Sequence, residues 1–259
     1  MALKIESVDE SIKHDGIKAL VYGMLGAGKT KLCATPTLNG DPVLIINAEG
    51  GLLSLQDIPK EQKALISVAK ARSFSDIEEI YTHLMKENRY SWVCIDSISE
   101  IAEVVLKSEK ATEKDGRAAY GNLADIMMDM LRTFRDMPKY NVMMTAKMTR
   151  FTDEISNRTM YWPLMPGKQL TNGIGYLFDE VFALRVEGNE EDGYERYLQT
   201  SRDIQYEAKD RSGRLDMFEP ANIAHIEQKI TSEIPVEDAA SSDIVENTNK
   251  KENENGKTA

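Results

Sequence analysis

The stretch "LVYGMLGAGKTKL", residues 20–32, decides the fold. A short apolar run leads into Gly23, Gly26, Gly28, Lys29 and Thr30, the spacing G-x-x-x-x-G-K-[ST]. Glycines at those places let backbone N–H groups wrap a phosphate chain, with Ala27 and Lys31 belonging to the same cradle. Lys29 is placed to reach the β- and γ-phosphates and Thr30 to set its hydroxyl on Mg²⁺. The helix that begins there points its positive end at the anion. The expected ligands are ATP and Mg²⁺; the plainer alternative is a glycine-rich turn before a helix.

Working outward, short β-rich runs alternate with longer helical periods, the pattern of a parallel sheet covered by helices. Candidate strands are residues 17–23, 42–48, 91–96, 141–147, 180–187 and 196–201. Between the second and third, "SFSDIEEIYTHLMKEN" places Ile77, Ile80, Tyr81 and Leu84 on one face, which predicts a crossover helix capped by Ser75. A second helical segment, "NLADIMMDMLRTFRDM", precedes the strand at 141. No repeat or Gly/Ser linker divides the first 230 residues. The expected organisation is an N-terminal segment (1–16), one ATPase domain (17–231) and a disordered acidic tail (232–259), whose Glu, Asn and Ser cannot bury enough surface to fold.

The chain has 259 residues, 41% of them hydrophobic, enough for a substantial core. Its net charge of −11 argues against a surface that coats nucleic acid all over, and leaves room for a local basic patch. No apolar run approaches the roughly 20 residues of a membrane helix, and the first residues do not resemble a signal peptide. A cytosolic location without a membrane partner is expected. Cys33 and Cys94 lie in or beside apolar segments with no CxxC partner, so buried thiols are expected rather than a disulfide or a zinc site.

Two carboxylates extend the phosphate site. Asp96 ends the apolar run "WVCIDS" and is the candidate for holding the metal or its waters. Glu49, in "VLIINAEGG", sits at the tip of a neighbouring strand, where it can orient or deprotonate the attacking water. Either could instead be a solvated strand-end acid.

The order of "GMLGAGKT", "IINAEGG", "VCIDSIS" and "MMTAKMTR" resembles the ATPase core of the RecA/RadA recombinase family, and most closely the short RecA-like proteins of bacteriophages that act in single-strand annealing. The resemblance covers roughly residues 15–230. It implies a RecA-like α/β P-loop NTPase core, mainly parallel, with a β-rich C-terminal edge. It also implies Lys29 and Thr30 on phosphate and Mg²⁺, Glu49 as catalytic base, and Asp96, followed by a serine, on the metal side. At the fourth core strand, where the family carries a glutamine or histidine sensor, this chain offers Thr145 and Lys147. "YEAKDRSGRLD" resembles the element that one recombinase subunit inserts into its neighbour's ATP site, with Lys209 and Arg211 at the two basic positions. A basic turn on a solvated edge is the alternative.

The family places two mobile loops along DNA, and the corresponding segments are 107–122 and 148–173. The second mixes Arg150, Arg158 and Lys168 with Phe151, Tyr161 and Trp162, a combination suited to tracking a backbone by charge while bases stack on rings. It could equally pack against a neighbouring subunit. The implied function is an oligomeric, ring- or filament-forming, ATP-dependent single-stranded DNA-binding protein of phage recombination or replication, annealing or loading beside a single-strand DNA-binding protein. Two other readings stay open: a P-loop small-molecule kinase, and an assembly protein that binds ATP and barely hydrolyses it.

Overall fold

The computed structural model describes residues 5, 7, 16–152, 157–189, 191 and 193–232. Most of the expected N-terminal segment, and the expected acidic tail from 233 onward, lie outside the described residues. Ten strands form one mixed sheet: β1 Lys18–Gly23, β2 Val43–Asn47, β3 Ile66–Lys70, β4 Trp92–Asp96, β5 Asn141–Thr152, β6 Thr159–Leu164, β7 Glu180–Asn189, β8 Gly193–Gln199, β9 Lys209–Asp210 and β10 Phe218–Pro220. Along the sheet the order is β10-β8-β7-β1-β5-β4-β2-β3. Every pairing from β7 across to β3 is parallel, while β8 and β10 form an antiparallel C-terminal edge. This is the expected mainly parallel α/β core with a β-rich C-terminal edge.

The helices are α1 Lys29–Leu32, α2 Lys60–Lys63, α3 Phe74–Leu84, α4 Ile98–Thr112, α5 Gly116–Arg135, α6 Lys168–Gly173 and α7 Ile223–Thr231. They cover both faces, so the central strands bury successive residues in two different cores, as parallel sheets require. Leu20, Tyr22, Val93 and Ile95 face the core built with α3, α4 and α5. Ala19, Val21, Trp92 and Cys94 face the core built with α1 and α7. On α5, Leu123, Met127, Leu131 and Phe134 recur at helical spacing and are all buried. Cys33 and Cys94 are free, buried thiols.

All six expected strands form, and four elements depart from the sequence reading. The connection from β2 to β4 contains an extra parallel strand, β3, which was not expected because "ISVAK" is an edge strand that is only half buried. The cap of the crossover helix is Ser73 and not Ser75: Asp76 N donates to the Ser73 side chain at 3.2 Å and Ser73 N to Asp76 Oδ2 at 2.9 Å, a reciprocal capping box. Segment 107–122 is not a long loop, because α4 runs to Thr112 and α5 begins at Gly116, where Asp115 caps it by accepting from Arg117 N. Segment 148–173 is a hairpin followed by a short helix: β5 continues to Thr152 and pairs antiparallel with β6. Its turn, residues 153–156, lies outside the described residues.

Candidate active site

β1 ends at Gly23 beside Leu184 of β7, so close that a Cβ on Gly23 would lie 3.0 Å from the Leu184 carbonyl oxygen. The chain then turns through Gly26 (φ +76°) and Gly28 (φ +103°), left-handed conformations that an L side chain rarely adopts. Ala27 between them is buried and anchors the loop to the core, whereas Met24 and Leu25 project into solvent. Gly28 is the N-cap of α1, and Lys31 is exposed in its single turn. The expected helix is only four residues long. Backbone N–H groups, rather than a macrodipole, are therefore what the loop offers an anion.

The Lys29 ammonium folds back on its own loop, donating to the carbonyls of Gly23 (3.0 Å) and Met24 (3.2 Å). Burial pushes its pKa down, against the pull of the nearby Glu49 and Asp96 carboxylates. Asp96 is 2% exposed, and both of its oxygens are satisfied. Oδ2 accepts from the Thr30 hydroxyl at 2.5 Å and Oδ1 from the Thr145 hydroxyl at 2.6 Å. Such pairing offsets the cost of holding a carboxylate away from water.

The tips of β2 and β4 are clipped together, since Ala48 N donates to the Asp96 carbonyl at 2.8 Å. Asn47 Oδ1 accepts from Gly50 N at 2.6 Å and turns the chain so that Glu49 stands exposed over the tips. The Ser97 hydroxyl donates to Glu49 Oε1 at 2.6 Å. The Asp96–Ser97 peptide bond is cis. Thr30, Asp96, Thr145, Ser97 and Glu49 thus gather at one end of the sheet, joined through short hydrogen bonds and one backbone step.

Other expected positions are placed elsewhere. Lys147 is next to Gly23 across the β1–β5 ladder, but its ammonium is held by Glu100 (2.8 Å) and Glu103 (3.0 Å) of α4. Burial opposes its charge, and the two carboxylates outweigh that and raise its pKa. Lys209 and Arg211 do not reach the phosphate loop of their own chain. β9 pairs with Glu180 and Val181 at the start of β7, while the loop adjoins Leu184, so they are separated by about 10–13 Å of strand. Lys209 donates to the Gly175 carbonyl, and Arg211 pairs with Asp179 at 2.5 Å.

The basic and aromatic residues of the hairpin do not form one strip. Arg150 and Arg158 are exposed, but the strand alternation puts Arg150 and Tyr161 on one face and Phe151 and Trp162 on the other. Tyr161 is already stacked on Tyr206, with centroids 4.5 Å apart. Trp162 packs 6.0 Å from Phe151, and its buried indole Nε1 has no partner. Lys168 lines a separate cleft of about 710 Å³ between the starts of α5 and α6, together with Arg117 and Tyr120.

Sequence reasoning missed Arg196. The Arg196 guanidinium reaches from β8 to the phosphate loop, where Nε donates to the Ala27 carbonyl at 3.1 Å. The signal was available in "GYERYLQ", where Tyr194, Arg196 and Leu198 alternate onto one face and Leu198 is buried against the α1 side. The partner, 169 residues away, was not.

A family model described as AAA domain (AAA_24) matches residues 15–212. No curated protein matches the chain. Among solved structures it is similar to the crystal structure of the RadB recombinase, at 17% identity and a TM-score of 0.43, over 73% of this chain and 83% of that one. No helix among the described residues is long and apolar enough to cross a membrane. With its phosphate loop, its acidic strand tips and a family model spanning most of its length, the chain belongs to the AAA domain family of P-loop ATPases.

Proposed function

We propose that the chain is a RecA-type ATPase that binds single-stranded DNA as a homo-oligomer in phage recombination or replication, with Glu49 as the base for hydrolysis. The observation that carries the ATPase reading is the Ser97–Glu49 hydrogen bond beside the phosphate loop, which aims a carboxylate across the tips of β2 and β4. The loop N–H groups bind the phosphates. Lys29 exchanges two backbone carbonyls for phosphate oxygens, and Glu49 takes the proton of the attacking water. The Thr30 hydroxyl and the Asp96 carboxylate are hard oxygen donors brought together at this point, so they fit Mg²⁺. Bound there, the ion neutralises charge on the phosphates.

Support for the DNA reading is the exposure of Arg150, Arg158 and Lys168, and the cleft that adds Arg117 to Lys168. Trp162 is the candidate for base stacking on the hairpin face it shares with Phe151. The deciding experiment is ATP hydrolysis measured alone, with single-stranded DNA, with duplex and with RNA. Stimulation by single-stranded DNA is expected. Equal turnover in all four conditions removes DNA from the function, and no turnover in any of them favours an ATP-binding assembly protein.

A further inference from the structure

We infer that the β7–β8 hairpin is the platform for the nucleobase, with Tyr194 stacking on the ring and Arg196 bracing the phosphate loop beneath it. The inference rests on the proposed placement of the triphosphate. Asp96 and Glu49, which define the γ-phosphate end, belong to β4 and β2, and both lie on the β5 side of β1. A nucleotide whose γ end points that way must leave the loop on the other side of β1, where β7 and β8 stand.

The surface on that side is built for a flat apolar ring. In β8, Tyr194, Arg196 and Leu198 alternate onto the face that carries α1, because Leu198 and Leu184 opposite it are buried in the same core as Ala27 and Leu32. Arg196 bonds the Ala27 carbonyl and lies 3.4 Å from where a Cβ of Gly28 would stand. Two residues farther out, Tyr194 is 58% exposed, and Val186, paired with Arg196, is 39% exposed. The residue paired with Tyr194 is Gly188, which has no side chain to cover the phenol ring. Tyr197, on the opposite face, is already engaged with Phe218 and Arg185. Tyr194 is thus an uncommitted aromatic on the strand whose arginine touches the phosphate loop. The ligand chemistry it fits is a base at the far end of a triphosphate, held by stacking and by the guanidinium beside it.

The test compares Mg-ATP with Mg-tripolyphosphate, which has the phosphates and no nucleoside, by calorimetric titration of the full chain. Tyr194→Ala is expected to weaken ATP by about five- to tenfold, while tripolyphosphate stays within about twofold. Tyr194→Phe keeps the ring and is expected to bind ATP like the parent. Lys29→Ala is expected to lose both ligands. If Tyr194→Ala binds ATP like the parent while Lys29→Ala does not, the platform is wrong and the phosphate loop stands. If Tyr194→Ala weakens both ligands equally, the residue supports the loop and not the base, which also overturns the inference. If Lys29→Ala binds both ligands normally, the phosphate-loop reading falls and takes the platform with it.

Discussion

Ser97 occupies the N-cap of α4, a position at which serine normally accepts a hydrogen bond from the first helical turn. Here its side chain makes no such bond and donates instead to Glu49 Oε1 at 2.6 Å. Ser97→Ala should therefore leave the fold nearly unchanged, because no cap is lost, and should release the exposed carboxylate of Glu49. A hydrogen bond to a charged group contributes about 1.5–3 kcal/mol. If that energy orients the base in the transition state, removing it lowers kcat by about 10- to 150-fold, since 1.36 kcal/mol is tenfold in rate. Glu49 is solvent-exposed, so the lower end is expected. Glu49→Gln removes the base itself, which corresponds to about 10²- to 10⁴-fold.

The discriminating measurement is the double variant in a steady-state ATPase assay, with ATP affinity measured separately. Ser97 is argued to act only through Glu49, so Ser97→Ala should cost almost nothing further once Glu49→Gln is present. ATP affinity should stay within a few-fold of the parent in all three variants, since neither residue touches the phosphate loop. Equal losses from Ser97→Ala in the parent and in the Glu49→Gln background would refute the positioning role. Turnover by Glu49→Gln within a few-fold of the parent would remove Glu49 as the base.

Glu180 is buried beside Asp210, and burial first, then that carboxylate, pushes its pKa up to about 8. An acid raised in the folded state contributes stability that is complete below its unfolded pKa and lost as pH rises toward 8. Glu180→Gln should therefore gain stability over the parent between pH 5 and 8, by up to about 4 kcal/mol in urea unfolding, and a constant difference across that range would contradict the assignment. Neutralising Arg150, Arg158 and Lys168 should weaken single-strand binding and flatten its salt dependence, and Trp162→Ala should cost roughly 1–3 kcal/mol if the ring stacks on a base. Unchanged affinity and slope would assign the hairpin to subunit packing. Inactive Glu49→Gln and Arg211→Ala variants should regain partial ATPase activity when mixed, because some interfaces then combine intact partners; no recovery in proven mixed oligomers would exclude a finger supplied in trans.

What the sequence revealed and what it hid follow from how local each signal is. The phosphate loop is read from eight consecutive residues whose spacing is itself the chemistry. Asp96 and Glu49 are read from the ends of apolar runs, and their meeting follows because β2 and β4 are neighbours in the sheet. Segment 148–173 is expected as a loop on the family resemblance, and Pro163, inside β6, gives no strand signal of its own. That proline is tolerated because β5 is the one strand that β6 pairs with, and on its other side β6 bonds the 205–207 segment only through Tyr161, so the missing N–H of Pro163 can face away from the β5 ladder. Segment 107–122 is expected as a loop on the family resemblance alone, whereas its residues continue α4 to Thr112 and open α5 at Gly116. The contact of Arg196 with Ala27 depends on three strands, β8, β7 and β1, lying side by side, and no local pattern encodes that.

The position of Lys209 and Arg211 constrains any oligomer in which they act. Lys209 pairs with Val181 at the beginning of β7 and Arg211 directly follows that short strand, while phosphate loop, Asp96 and Glu49 gather at the strand ends. A cation at one end of the strands can serve a phosphate at the other end only in a neighbour. A twofold dimer joins these two surfaces only if both lie within one self-complementary patch, so that each Arg211 meets the other copy's phosphate loop; surfaces that face apart need a heterologous interface, which closes into a ring or continues as a filament. Arg211 would exchange its exposed pairing with Asp179 for a γ-phosphate, and that is inexpensive, because a surface ion pair contributes only about 0–1 kcal/mol. Lys209 is the more committed of the two. Burial and the adjacent Arg211 push its pKa down, and its ammonium is already bonded to the Gly175 carbonyl. Of the two basic positions, Arg211 is thus the one free to reach across, and Lys209 the one that fixes the turn from which it reaches.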